Sequence, residues 1–138
     1  MALSYEQFTQ KIDYSHGSVR SQVVHLMEAE HIWFSELLGV QTIEPFPPAD
    51  FDDRPLIRLH WDSVEQQMHE YLAKLHDGML FQRPITNNDE DKDLILWQVL
   101  IHVVNHATDH RAQLLRILHD FGLKTGPQDY IFYVYDHK

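Results

Sequence analysis

His106 and His110 stand four residues apart in a chain with eleven histidines and no cysteine. On a helix, residues at i and i+4 lie one above the other, so two imidazoles there can point at one metal ion. Such a pair cannot close a site, and a third ligand must come from elsewhere. His25 is a candidate, because it borders an apolar face of a different predicted helix. Three neutral imidazoles without a thiolate suit zinc, nickel or iron(II) rather than calcium or magnesium. Three ligands also leave a coordination position open, the pattern of catalytic rather than structural sites. The competing account makes His102, His106 and His110 an ordinary helix face with satisfied hydrogen bonds.

The element that must carry the pair is Leu94 to Phe121. Leu96, Leu100, Val103, Ala107, Leu114, Ile117 and Phe121 recur at helical spacing, which predicts one long amphipathic helix. Gly122 stands where a helix turns left-handed and stops. His110 fills the stripe slot between Ala107 and Leu114, and an imidazole in a core slot needs a polar partner. His25 belongs to a helix predicted from Ser18, its N-cap, to Leu38, with Val19, Val23, Leu26, Trp33 and Leu37 as the stripe and Gly39 as the stop. Glu30 takes one slot of that stripe.

Before it, Ser4 with Gln7 predicts a capped turn carrying Phe8 and Ile12, and residues 15–18 read as a loop. Pro45, Pro47 and Pro48 make residues 40–53 an extended connection. Its length allows a crossover along a bundle, so the flanking helices need not form a tight antiparallel pair. Asp52 or Asp53 caps the next long helix, with Pro55 in its first turn. Its stripe is Ile57, Trp61, Val64, Met68, Tyr71 or Leu72, and Leu75, and Gly78 ends it. Residues 79–96 hold two short apolar runs about a polar turn, which predicts a small β-hairpin, with Asp93 capping the last helix. The apolar and aromatic residues of Tyr130 to Tyr135 are expected to pack across the bundle or on a partner.

The 138 residues suit a single domain spanning 1–138. A net charge of −10 disfavours duplex nucleic acid and anionic membranes. No apolar run approaches the ~20 residues of a membrane span. No secretory signal is visible at the N-terminus, and with no cysteine a cytoplasmic protein is expected. Nucleotide-binding glycine motifs, G-x-S-x-G and H-E-x-x-H are absent.

Ser15 to Trp33, SHGSVRSQVVHLMEAEHIW, resembles the second-helix region of the DinB/YfiT-like family. Leu96 to Leu114, LWQVLIHVVNHATDHRAQL, resembles that family's last-helix signature, and Pro127 to Tyr130 resembles the segment after it. The resemblance implies an all-α, DinB-like up-down helical bundle, often a homodimer, with three histidines holding a divalent metal near one end. It carries the ligand role to His25, His106 and His110, and leaves His102 as a packing neighbour or outer partner. Family members open with a further long helix, so this chain reads as a bundle that lacks it or has it completed by a partner. Asp109 and Ala112 depart from a histidine and a glycine frequent in the family.

The expected function is a metal-dependent enzyme of small-molecule or thiol chemistry, transferase or hydrolase-like. Glu30 and Asp109 are its candidate base or outer partners. The alternative is a non-catalytic dimeric helical module whose histidines are structural or bind metal adventitiously.

Overall fold

A computed structural model describes residues 3–138, and among them every regular element is helical. The α-helices are α1, Tyr5–Thr9; α2, Val19–Leu37; α3, Arg54–Leu72; α4, Leu96–Asp120; and α5, Tyr130–Asp136. Two 3₁₀ turns, Pro48–Asp50 and Asp77–Met79, lie in the connections.

The helix starts follow the side chains available to absorb unpaired backbone N–H groups. Ser4 and Gln7 form a reciprocal capping box on α1, and Phe8 is the residue that α1 buries. Ser18 accepts from the Ser21 N–H at the head of α2, and Asp53 accepts from the Leu56 N–H at the head of α3, where Pro55 occupies the first turn. Gly39 and Gly122 follow α2 and α4 with φ of +74° and +77°, a conformation that disfavours a Cβ.

Helix α2 is the centre of the molecule and packs against α1, α3 and α4. Its pairings give the directions. Gln22 meets His110, His25 meets His106 and Trp33 meets His102, so α2 and α4 are antiparallel. Arg20 meets Asp52, Glu30 meets Trp61 and Phe34 meets Tyr71, so α2 and α3 are parallel. The proline-rich connection therefore crosses the length of the bundle, and the expectation of a simple up-down order does not hold for this pair. Phe46 and Phe51 of that connection pack back on the core, and the Glu28 carboxylate accepts from the Phe46 N–H at 2.8 Å.

Because α2 has neighbours on several sides, one stripe does not describe it. Gln22, Val24, Met27, Phe34, Ser35 and Glu36 are buried besides Val19, Leu26 and Leu37. One buried cluster joins Phe8, Met27, Ile57 and Ile117, and the other joins Phe34, Tyr71, Ile85 and Leu96. The α3 stripe is as expected, with Ile57, Val64 and Tyr71 buried. However, α3 stops at Leu72, and Gly78 lies in the following 3₁₀ turn.

The β-hairpin expected over residues 79–96 is not formed; no strand occurs among the described residues. The reason is competition for backbone carbonyls. Leu80 and Gln82 accept from the N–H groups of Trp97 (3.1 Å) and Leu96 (2.9 Å), so this segment closes the head of α4. Pro84 in addition has no N–H for a ladder. Nor does Asp93 cap α4. Ile95 is the N-cap, its N–H held by Gln98 Oε1 at 2.9 Å, and the Asp93 carbonyl accepts from Arg83 instead.

The aromatic tail forms α5, which buries none of its residues. It arches beside the outer face of α4, leaving a cavity of about 670 Å³ that Val104, Thr108, Arg111, Tyr130, Phe132 and Tyr133 help to line. A second, apolar groove of about 420 Å³ lies along α2 between α3 and α4, lined in part by Val19, Val23, Ile57, Trp61, Leu114 and Leu118. No helix is long and apolar enough to cross a membrane among the described residues.

Candidate metal centre

Antiparallel packing of α2 on α4 brings His25 against the i, i+4 pair of α4. His25 Nε2 lies 3.0 Å from His106 Nε2. The ring centroids are 4.9 Å apart for His25 and His106, 4.5 Å for His25 and His110, and 4.3 Å for His106 and His110. His25, His106 and His110 are thus neighbours, although His25 is 81 residues from His106, but the group of histidine nitrogens close enough together to share one ion is that of His16, His25 and His110, without His106.

A fourth imidazole joins them. His16, in the loop between α1 and α2, stacks on His25 with centroids 3.8 Å apart and lies 5.1 Å from His110. One nitrogen each from His16, His25 and His110 fall within 4.8 Å of one another, the spacing a shared metal ion needs. Sequence reasoning passed over His16 as part of a loop. A signal was present nonetheless: Ser18, Gln22 and His25 lie on one face of α2 at i, i+4 and i+7, so the loop entering at Ser18 arrives over that face.

The electrostatics favour neutral imidazoles. Burial first, and then the neighbouring His16, His110 and His106 rings, push the His25 pKa down to about 4. Burial, followed by His110, also holds His106 and His16 below the ordinary histidine value. These rings are therefore neutral near pH 7 and offer lone pairs. Their ring neighbours in the cluster are imidazoles rather than carboxylates. An all-nitrogen donor set of this kind fits a borderline transition metal.

Gln22 was not read from the sequence as part of the site. It is fully buried, and its amide nitrogen lies 2.9 Å from His110 Nδ1, where the donor role follows the imidazole tautomer, and donates to the His110 carbonyl at 3.0 Å. Its Oε1 accepts from the Ser15 hydroxyl at 2.9 Å, and that hydroxyl also meets Gln113 Oε1. Gln113 in turn donates to Asp109 at 3.0 Å. Loop, α2 and α4 are thereby tied together around the His110 ring.

The expected outer partners are placed differently. The Asp109 hydrogen bond goes to Gln113 rather than to an imidazole, although its charge acts on His106. Glu30 accepts from Trp61 Nε1 at 2.8 Å, bridging α2 to α3, and burial raises its pKa above the usual carboxylate value. His102 packs edge-on against Trp33 at 5.0 Å, with its ring 5.7 Å from that of His106.

Comparison with family models gives a match to the DinB family over residues 1–137, and the chain belongs to that family. No curated protein and no solved structure matches it.

Proposed function

We propose that this DinB-family chain is a divalent-metal protein of small-molecule or thiol chemistry, with His25, His106 and His110 as the ligands supplied by its helices. One observation carries the reading: imidazoles from two helices and a loop converge at His25, and desolvation keeps that ring neutral. Zinc, nickel and iron(II) are the metals this donor set favours. When bound, such a metal supplies Lewis acidity and lowers the pKa of a thiol or water brought to it. The chain's own contribution is to hold and aim the rings. Gln22 fixes His110 from behind, packing of α2 on α4 fixes His25 against His106, and Trp33 holds His102 to one side.

The same reading includes pairing of two copies. Trp97, Ile101 and Val104 stand exposed along the outer face of α4, and Tyr130, Ile131 and Tyr133 are exposed on α5. Together with the open groove along α2, these apolar surfaces support a homodimer built by helix packing. A dimer without bound metal would instead support a non-catalytic module.

Elemental analysis of protein purified without a histidine tag, joined to a thiol-transfer screen of the loaded protein, tests the proposal. It predicts close to one divalent ion per chain and turnover that disappears in His25→Ala. Protein that stays metal-free after incubation with zinc, nickel and iron(II) would refute it.

A further inference from the structure

His16 differs from the other three imidazoles in what carries it. His25, His106 and His110 are fixed on α2 and α4, whereas His16 sits on an exposed loop. Two residues with positive φ flank it, Ser15 at +51° and Gly17 at +83°. The loop is closed by hydrogen bonds from the Gly17 N–H to the Tyr14 carbonyl (3.0 Å) and from the Ile12 N–H to the Gly17 carbonyl (2.8 Å). Ile12 packs on the core and His16 stacks on His25, and the Ser15 hydroxyl adds hydrogen bonds over the cluster, meeting Gln22 Oε1 and Gln113 Oε1. Hydrogen bonds of one side chain are a weak fastening compared with the packing of two long helices. Even so, a His16 nitrogen comes within 4.8 Å of nitrogens of both His25 and His110.

Given the metal site proposed above, on which this inference rests, we infer that His16 is a fourth nitrogen donor, delivered by a loop that the Ser15 hydroxyl latches over the site. Three helix-borne histidines leave a coordination position open, and a fourth imidazole closes it as in a structural site. In the latched state the metal is shielded. Release of the loop exposes one position to a small donor molecule, a thiol or an imidazole, which takes the place of the His16 ring. The loop is thus both ligand and gate, and Gln22 serves it twice, holding His110 on one side and Ser15 on the other.

The test uses cobalt(II) as a visible probe in the full chain, with parent, His16→Ala and Ser15→Gly proteins compared. Ser15→Gly keeps the positive φ accessible while removing the hydroxyl. Parent protein should bind cobalt with an absorption spectrum that millimolar imidazole changes little. His16→Ala should fold as the parent does by circular dichroism and bind cobalt at least about tenfold more weakly, the lower end of what even an outer partner of a ligand contributes. Its spectrum should differ from the parent's and return towards it when imidazole is added. Ser15→Gly should keep the parent spectrum but yield to imidazole at a lower concentration. If His16→Ala binds cobalt with the parent's affinity and spectrum, His16 is not a donor and the three-histidine site stands without it. If Ser15→Gly resists imidazole as the parent does, there is no serine latch. Failure of the parent itself to bind cobalt overturns the underlying site instead.

Discussion

Gln22→Met tests how far the histidine site depends on a residue that need not touch the metal. Methionine has a similar unbranched length and suits an apolar interior, so the substitution removes hydrogen bonds more than volume. Lost are the contacts to His110 Nδ1 at 2.9 Å, to the His110 carbonyl at 3.0 Å and from Ser15 at 2.9 Å. Ser15 retains Gln113, and the carbonyl retains its place in α4. The ring nitrogen is the group left without a partner in a part-buried position, where the cost lies at or below the ~1–3 kcal/mol of a fully buried unsatisfied polar atom. The added apolar burial offsets part of this, so a net loss of about 1–2 kcal/mol is expected. For a chain of this size that lowers the Tm of the metal-free protein by roughly 3–10 °C. With the ring no longer aimed, metal affinity should fall by about 10–100-fold. Calorimetric melting of metal-free protein and a competitive zinc titration read the two quantities separately. A Gln22→Met protein that melts and binds zinc like the parent would refute this account of Gln22.

The other perturbations address charge, ligand assignment and assembly. The folded pKa of His25, about 4, lies below the ~6.5 of a free imidazole. The unfolded chain then binds more protons between those values, so stability present above pH 6.5 is lost as the pH falls towards 4. A Tm of metal-free protein that is flat across that window, or rises on acidification, would contradict the depressed value. Glu30→Gln removes a buried charge but keeps an acceptor for Trp61 Nε1, so its Tm at pH 7 should stay within a few degrees of the parent's, whereas Trp61→Phe should lower it. His102→Ala should retain most of the bound metal and His110→Ala should lose it, by elemental analysis; the reverse result would exchange their roles. Light scattering should show a dimer at micromolar concentration, and deletion of residues 130–138 should weaken it.

The long helices and their caps were legible because they follow local rules. Apolar spacing placed α3 and α4, and Ser18, Asp53 and Gly122 placed boundaries within a residue or two. Residues 79–96 misled because their apolar runs satisfy a strand pattern, while their carbonyls serve a helix head that only the tertiary arrangement reveals. The adjacency of His25 to His106 and His110 was anticipated from the histidine pattern and the family resemblance. His16 and Gln22 escaped notice for different reasons. A loop histidine carries no periodic signal, and a glutamine on a helix reads as solvent-facing unless the helix has neighbours on several sides. Directions of packing were legible only in part: the proline-rich connection permitted a crossover, and the contacts of Glu30 and Phe34 with α3 established it.

The most direct measurement of the central claim is a pair of melting curves at pH 7.5, with and without a chelator, on protein whose metal loading has been confirmed by elemental analysis. The site joins α2 to α4 and exists only in the folded chain, so bound metal must stabilise the fold by linkage. At free metal near 100 times Kd the stabilisation is about 2.7 kcal/mol, enough to raise the Tm by several degrees. The account predicts that the chelator removes this increment and that His25→Ala never shows it. Identical melting of the loaded parent with and without chelator would contradict a metal site at His25, His106 and His110.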